Sequence, residues 1–289
     1  MDSTTHGLNA DLHCHSFVSD GTLAPAALAR RAKDNGVELW ALTDHDELGG
    51  QREARDAAAG IGLPYLTGVE ISVTFAGSTV HIVGLGVDID DAALREGLRQ
   101  TRDGREWRAR AIAESLAAVG IEGCFDGALC YAGNPALISR THFARFLVES
   151  GVCRDMQAVF RRYLVRGKPG YVEHRWASLG DAVRWITQAG GIAVVAHPGR
   201  YKFTRNEEAA LFAEFKAHGG RGVEVVTGSH SGADAVRYEA LALELDLLAS
   251  RGADFHAPGE SRVDLGELPG LPRALAPVWD ALADRVLHP

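Results

Sequence analysis

Cysteine is scarce: four in 289 residues, Cys14, Cys124, Cys130 and Cys153, with no C-x-x-C pair. That usage argues against a disulfide framework or a thiolate zinc site and suits reduced thiols in a reducing compartment. No apolar run approaches the ~18–20 uninterrupted residues that span a bilayer. The opening MDSTTHGLN lacks the basic start and apolar stretch of a secretory signal, so a soluble cytoplasmic protein is expected. An excess of positive charge is missing too. The 30 Lys and Arg against 38 Asp and Glu leave a net of −8, which disfavours a general nucleic-acid or anionic-membrane binder while leaving room for a local basic pocket. Internal repeats and low-complexity segments are absent.

What is present is a chain 46% hydrophobic, enough for one large α/β domain or two smaller ones. Short apolar runs alternate with helical patterns. LNADLHCH, VELWALTDHD and PYLTGVEISVTF read as strands, and AGSTVHIVGLGVD as a hairpin partner of the third through Ala76-Gly77-Ser78. LAPAALARRAKDNG reads as a helix with Pro25 in its first turn and Gly36 past its end. The rhythm resumes with GGIAVVAHPG, GGRGVEVVTGSH and LDLLASRGADFHAPG. Such alternation predicts an α/β fold with a parallel sheet, open or closed into a barrel. Residues 91–171 interrupt it with helical patterns only and are expected to form an insertion between barrel segments 1–90 and 172–289. PVWDALADRVL is expected to be a last helix.

Each expected strand ends in polar residues. The first ends in His13 and His15 with Asp20 beyond; the second ends in TDHD with His45. The third carries Glu70 and its hairpin partner His81. A later strand ends at His197, and the last at Asp254 and His256. Ligands of parallel α/β folds bind outside the carboxyl ends of strands, so these side chains converge there. Residues i and i+2 share a face of a strand, which points His13 and His15 together and turns Cys14 away. Six histidines and three carboxylates buried together without a cation would leave many costly unpaired groups. Imidazole mixed with carboxylate and no thiolate suits Mn, Fe or Zn better than Ca or Mg. Nine ligands exceed the needs of one ion, so two or three are expected, with Glu70 the natural bridge and phosphate-ester hydrolysis the natural chemistry.

With DLHCHSFVSDG, ALTDHDELGG, GVEIS, VHIVGLGVD, AHPGR and GADFH in this order, the chain resembles the PHP (polymerase and histidinol phosphatase) family. The resemblance covers nearly the whole chain and implies a distorted (β/α)7 TIM-like barrel with a trinuclear metal site. It implies that His13, His15, Glu70 and Asp254 hold one ion, Glu70, His81 and His197 a second, and Asp20, His45 and His256 a third, with Mn expected before Fe or Zn. Ala253 stands where serine often precedes the aspartate, and Glu47 where threonine is common after TDHD; neither change removes a ligand. The helical insertion with ISRTHFARFLV resembles the nucleotide phosphoesterase subgroup, similar to 3′,5′-nucleoside bisphosphate phosphatases, with related members that trim RNA from its 5′ end.

Charge within the insertion fits such a substrate. Between Arg140 and Arg175 stand eight Lys and Arg against three acids. Arg140, His142 and Lys168, in loops or at a helix start, and Arg200, just after His197, are the expected phosphate ligands, since arginine forks match phosphate oxygens. Tyr171, Tyr201 and Phe203 are candidates to stack a base. His230, in TGSHS, is a candidate to bind substrate or protonate the leaving alkoxide. Asp44 and Asp46, flanking His45, are expected to orient ligands or cap chain ends. The expected reaction is removal of the 3′-phosphate from a 3′,5′-bisphosphate nucleotide by a metal-bound hydroxide. The alternatives are 5′-to-3′ exonuclease action on short 5′-phosphorylated RNA, a histidinol-phosphate-type phosphatase, and a metal-binding module without turnover. No membrane or obligate protein partner is expected.

Overall fold

The computed structural model describes residues 6–289; the first five residues of the 1–90 segment lie outside the described residues. A first sheet is parallel throughout, in the order β1 (Ala10–Asp11), β2 (Leu39–Ala41), β3 (Tyr65–Leu66). A second, mixed sheet runs β4 (Gly68–Phe75), β5 (Ser78–Leu85), β6 (Ile192–Val195), β7 (Gly222–Thr227), β8 (Leu248–Gly252). Within it β5 is antiparallel to both neighbours, and β6, β7 and β8 are parallel. The turn between β4 and β5 is made by Ala76 and Gly77, both at positive φ, the backbone that a two-residue type I′ hairpin requires.

The two sheets are not joined by continuous ladders. Isolated bridges link their strand ends instead: Cys14 with Phe255, and His45 with Glu70. Cys14, His45 and Phe255 follow the carboxyl ends of β1, β2 and β8, Glu70 lies near the start of β4, and the candidate ligands stand beside these bridges.

Helices α1 (Pro25–Asp34), α2 (Gln51–Gly60) and α3 (Ala92–Asp103) precede α4 (Arg105–Ala117), α5 (Cys124–Leu129), α6 (Arg140–Glu149) and α7 (Met156–Val159). The chain then continues through α8 (Leu179–Gln188), α9 (Arg205–Ala217) and α10 (Gly232–Glu244). One large core packs the strands against their flanking helices and takes in Leu94 and Leu98 of α3. A separate core lies between α4 and α7, built on Ile112, Leu116, Phe143, Leu147 and Val159. The division falls at Gly104, between α3 and α4, where a Cβ would run into the His174 ring.

The expected last helix is not formed. Pro277 bridges to Ala249, Val278 N–H bonds to the Ala249 carbonyl, and buried Val278 and Trp279 fill the main core. The chain from 277 to 289 holds turns, a short 3-10 segment at Ala283–Arg285 and two isolated bridges, Pro277 to Ala249 and Leu287 to Tyr65.

Candidate metal centre

Period-two alternation builds the floor of the site. Glu70 and Ser72 of β4 share a face, and the β4–β5 register sets His81 opposite Ser72. Glu70 is wholly buried at the middle of the cluster. Its Oε1 lies 2.9 Å from His81 Nδ1 and 3.0 Å from His197 Nε2. Its Oε2 lies 2.9 Å from His45 Nδ1, 3.2 Å from His15 Nε2 and 3.3 Å from His13 Nε2. Asp254 Oδ1 approaches His13 and His15 at 3.5 and 3.3 Å, and Asp20 Oδ1 approaches His256 and His45 at 3.4 and 3.8 Å. Burial pushes the Glu70 carboxyl up, but His81, His45 and His13 outweigh it and hold it well below the usual range.

These side chains resolve into three overlapping groups of donor atoms: His13, His15, Glu70 and Asp254; His15, Asp20, His45 and His256; and His45, Glu70 and His81. His197 joins the last through Glu70 Oε1. All nine expected ligands come together in one place.

The donor set fits divalent ions. Buried Nδ1 atoms of His15, His45, His81 and His197, with Asp20 Oδ1 and Glu70 Oε2, make no hydrogen bond, although buried polar atoms ordinarily find a partner. His13 Nε2 and His15 Nε2 face each other at 3.2 Å, an arrangement suited to a shared cation. Cys14 points the other way, against Trp40 and the Ala41 carbonyl. His197 and Asp254 sit at φ 28° and 55°, the strained backbone that collects at functional sites.

The flanking acids serve different ends. Asp44 accepts bonds from Ser16 N–H, Ser16 Oγ and Ser19 Oγ, shaping the loop that carries Asp20. Asp46, also buried and at φ 51°, accepts from Ser72 N–H and Oγ and pairs with Arg105.

A pocket opens over the histidines and runs to Arg105, Arg108, Arg140, Trp176 and Phe160. Arg105 and Arg108, at the start of α4, and Trp176 were not expected from sequence. The Trp176 ring lies 4.7 Å from the Arg105 guanidinium and 5.1 Å from that of Arg108, and its Nε1–H donates to Thr79 at 3.1 Å. Arg105 is 5% exposed and its Nε has no partner. Burial first, then the charges of Arg140 and Arg105, pull Arg108 down to about 9. Helices α4 and α6 both begin at this pocket, adding partial positive charge.

Several expected substrate residues lie elsewhere. Lys168 is exposed in a turn and does not line the pocket, because the chain after Leu164 loops outward. His142 is buried behind Ser139, its Nδ1 accepting the Ser139 N–H in a capping box, so it faces away from the opening. Arg140 and Arg200 do line the pocket; Arg200 is paired with Asp254 at 2.8 Å. Tyr201 braces the ligands from beneath, its hydroxyl donating to the Ala196 carbonyl and accepting from His81 N–H. Phe203 packs on Phe75, and Tyr171 is not among the lining residues.

His230 also departs from expectation. Its Nδ1–H donates to the Val225 carbonyl and its Nε2 accepts the Gly199 N–H, both at 3.0 Å. With both ring nitrogens engaged, it holds the turn behind His197, and it does not line the pocket.

The chain belongs to the PHP domain family, whose model matches residues 11–94. At the level of individual relatives, it is 53% identical over 97% of its length, and 99% of the relative's, to a 3′,5′-nucleoside bisphosphate phosphatase from Chromobacterium violaceum. It is 40% identical over 96% of its length, and 95% of the relative's, to the 5′-3′ exoribonuclease Rnm of Escherichia coli. A solved structure described as an amidohydrolase from Chromobacterium violaceum, with bound sulfate and no metal, superposes with a TM-score of 0.94. It is 53% identical, covering 97% of this chain and 98% of that one. Among the described residues, no helix is long and apolar enough to cross a membrane.

Proposed function

We propose that this protein removes the 3′-phosphate from 3′,5′-nucleoside bisphosphates, using two or three divalent ions, manganese first, held by the nine residues gathered around Glu70. The observation that carries this reading is one pocket with two anion-seeking ends. Orphaned ligand atoms lie at one end, and Arg105, Arg108 and Arg140 gather at the other. Only Arg105 of the three has a carboxylate partner among the described residues, Asp46. A monophosphate leaves the arginine end unused, which speaks against a histidinol-phosphate substrate. A full ligand set speaks against a module without turnover.

Divalent ions in such a site supply charge neutralisation and acidify water. The protein's own residues do the rest. His13, His15, Glu70 and Asp254 fix one position; Glu70, His81 and His197 fix a second; Asp20, His45 and His256 fix a third. Arg200, paired with Asp254, stands beside the 3′-phosphate. Arg105, Arg108 and Arg140 take the 5′-phosphate through charge-assisted bonds, and Trp176 and Phe160 offer rings to the base. Closing this end around a second phosphate orients the ester against the ligand cluster, the positioning that makes a bound reaction effectively unimolecular.

The same reading treats the two sheets as one distorted (β/α)7 barrel, supported by the bridges between their strand ends. It treats residues 91–171 as an insertion roofing the pocket, supported by the separate core. The unpaired thiols suit the cytoplasm. Exonucleolytic trimming of short 5′-phosphorylated RNA is the second reading, favoured by the 40% identity to Rnm; one arginine end serves a 5′-phosphate in both.

Steady-state assays in Mn2+ with adenosine 3′,5′-bisphosphate, AMP, histidinol phosphate and a 5′-phosphorylated oligonucleotide test the reading. The bisphosphate is expected to give the highest kcat/KM. Preference for histidinol phosphate overturns the reading, and preference for the oligonucleotide replaces it with the second.

A further inference from the structure

Strand β7 carries a carboxylate outside the nine-ligand set. Glu224 lies in the run GVEVV, 1% exposed, beside a register shift in the β7–β8 pairing. It does not line the pocket. Its two oxygens are committed to different partners. Oε1 accepts from His13 Nδ1–H at 2.7 Å, and Oε2 accepts from the backbone N–H of His197 at 2.6 Å.

Each contact has a consequence at the ligand cluster. A proton on His13 Nδ1 leaves the Nε2 lone pair free, and Nε2 is the atom that faces Glu70 and Asp254. Which ring nitrogen ligates is set by the bond the other one makes. The second contact holds a residue at φ 28°, ψ 56°, a conformation that a side chain with a Cβ adopts only when its surroundings enforce it. His230 secures the same turn two residues on, through Gly199.

We infer that Glu224 is a positioning residue that sets the ring tautomer of His13 and the backbone of His197 together, thereby fixing the spacing of two metal positions with one carboxylate. The inference rests on the reading of the nine residues as ligands. It also explains the residue type. Both partners are donors, so the position needs two acceptors. Glutamine supplies one acceptor and one donor, so it either loses a contact or drives the His13 proton to Nε2, where it blocks the ligating lone pair.

The test is Mn2+ titration of metal-free wild type, Glu224→Gln, Glu224→Asp and Val223→Ala, followed by the spectrum of free Mn2+, with a thermal melt of each protein. Glu224→Gln is expected to bind at least one ion about 10- to 100-fold more weakly, the usual effect of losing a residue that orients a ligand. Val223→Ala, a cavity in the same strand, is expected to lower the melting temperature and leave Mn2+ affinity unchanged. Nitrogen-15 spectra of Zn2+-loaded wild type are expected to show the His13 proton on Nδ1, a readout that needs no variant to fold. Mn2+ affinity and stoichiometry in Glu224→Gln equal to wild type, or a His13 proton on Nε2, overturns the inference alone. Wild type that takes up neither Mn2+ nor Zn2+ overturns the ligand reading with it. If Glu224→Gln does not fold, Glu224→Asp and the wild-type spectrum decide.

Discussion

Arg108→Met is expected to make the protein more stable and a poorer enzyme. Arg108 is 7% exposed, its Nε donates to the Val172 carbonyl at 3.2 Å, and its guanidinium lies over Trp176. Among the described residues it makes no ion pair. Its pKa falls from 12.5 to about 9, through burial first and then the charges of Arg140 and Arg105. A base whose folded pKa lies below its unfolded one destabilises the fold at every pH below the folded value. At pH 7 this drop corresponds to a cost of about 5 kcal/mol. Methionine keeps an unbranched chain against Trp176 and gives up a hydrogen bond of about 1 kcal/mol and a cation–π contact of about 1–2 kcal/mol. The net is a gain of about 2 kcal/mol, read as a rise of about 4–8 °C in melting temperature. Catalysis moves oppositely. A charge-assisted bond to phosphate contributes about 1.5–3 kcal/mol, so kcat/KM for adenosine 3′,5′-bisphosphate is expected to fall about 10- to 150-fold. A nucleoside 3′-monophosphate, which has nothing to place at the arginine end, is expected to lose little. Melts without substrate and phosphate release from both substrates in Mn2+ make the comparison. A lowered melting temperature together with equal losses on the two substrates would refute the reasoning.

Two further perturbations follow from buried groups at the same end. His142 is held down at about 4 by burial foremost, so the fold excludes its proton where the unfolded chain accepts it. Its contribution is intact above pH 6.5, and about 3 kcal/mol is lost as pH falls from 6.5 to 4. His142→Gln keeps an acceptor at the capping-box position; urea unfolding of the metal-free protein at pH 7 and 4.5 is expected to show a shallower acid loss than wild type. Asp46→Asn retains a side chain tolerant of positive φ but leaves the Arg105 guanidinium buried without its counter-charge. Urea unfolding is expected to show a loss of about 3–5 kcal/mol; a change below 1 kcal/mol would mean that Arg105 finds another partner.

The gathering of the nine side chains was legible because most of them stand at strand ends, and a period of two fixes which side chains share a face. His13 and His15 needed only that rule. Of the arginine half only Arg140 was legible, because summed charge along a segment says nothing about direction. Eight basic residues between Arg140 and Arg175 drew attention to Lys168, which the structure leaves in solvent, while DGREWRAR lies outside that segment and reads only as a helical pattern. A signal was there all the same. Arg105, Arg108, Ala109, Ile112 and Leu116 recur at helical spacing, so the two arginines lie on the apolar face of α4 and are buried with it. Glu224 carried a similar mark, a single acid in the middle of a fully buried strand. His142 and His230 show another limit. A histidine after a loop looks available, yet His142 is buried outside the pocket and both ring nitrogens of His230 are engaged by the backbone.

The stretch TDHD joins the two halves, and its three charged or titratable residues divide the work. Asp44 ties down Ser16 and Ser19 and so the loop bearing Asp20. His45 enters the cluster at Glu70. Asp46, turned by its positive φ, grips Arg105 and the Ser72 backbone beside Glu70's own strand position. On the proposed reading, the carboxylate that places an arginine for one phosphate is covalently next to a ligand of the ions that take the other. For Arg105 this link runs through a few bonds of backbone and the β4 pleat, whereas Arg108 and Arg140 are placed by the helices of the insertion. The physical argument for a nucleoside bisphosphate thus lies in how the barrel strands and the insertion together set an arginine end beside the ligand cluster.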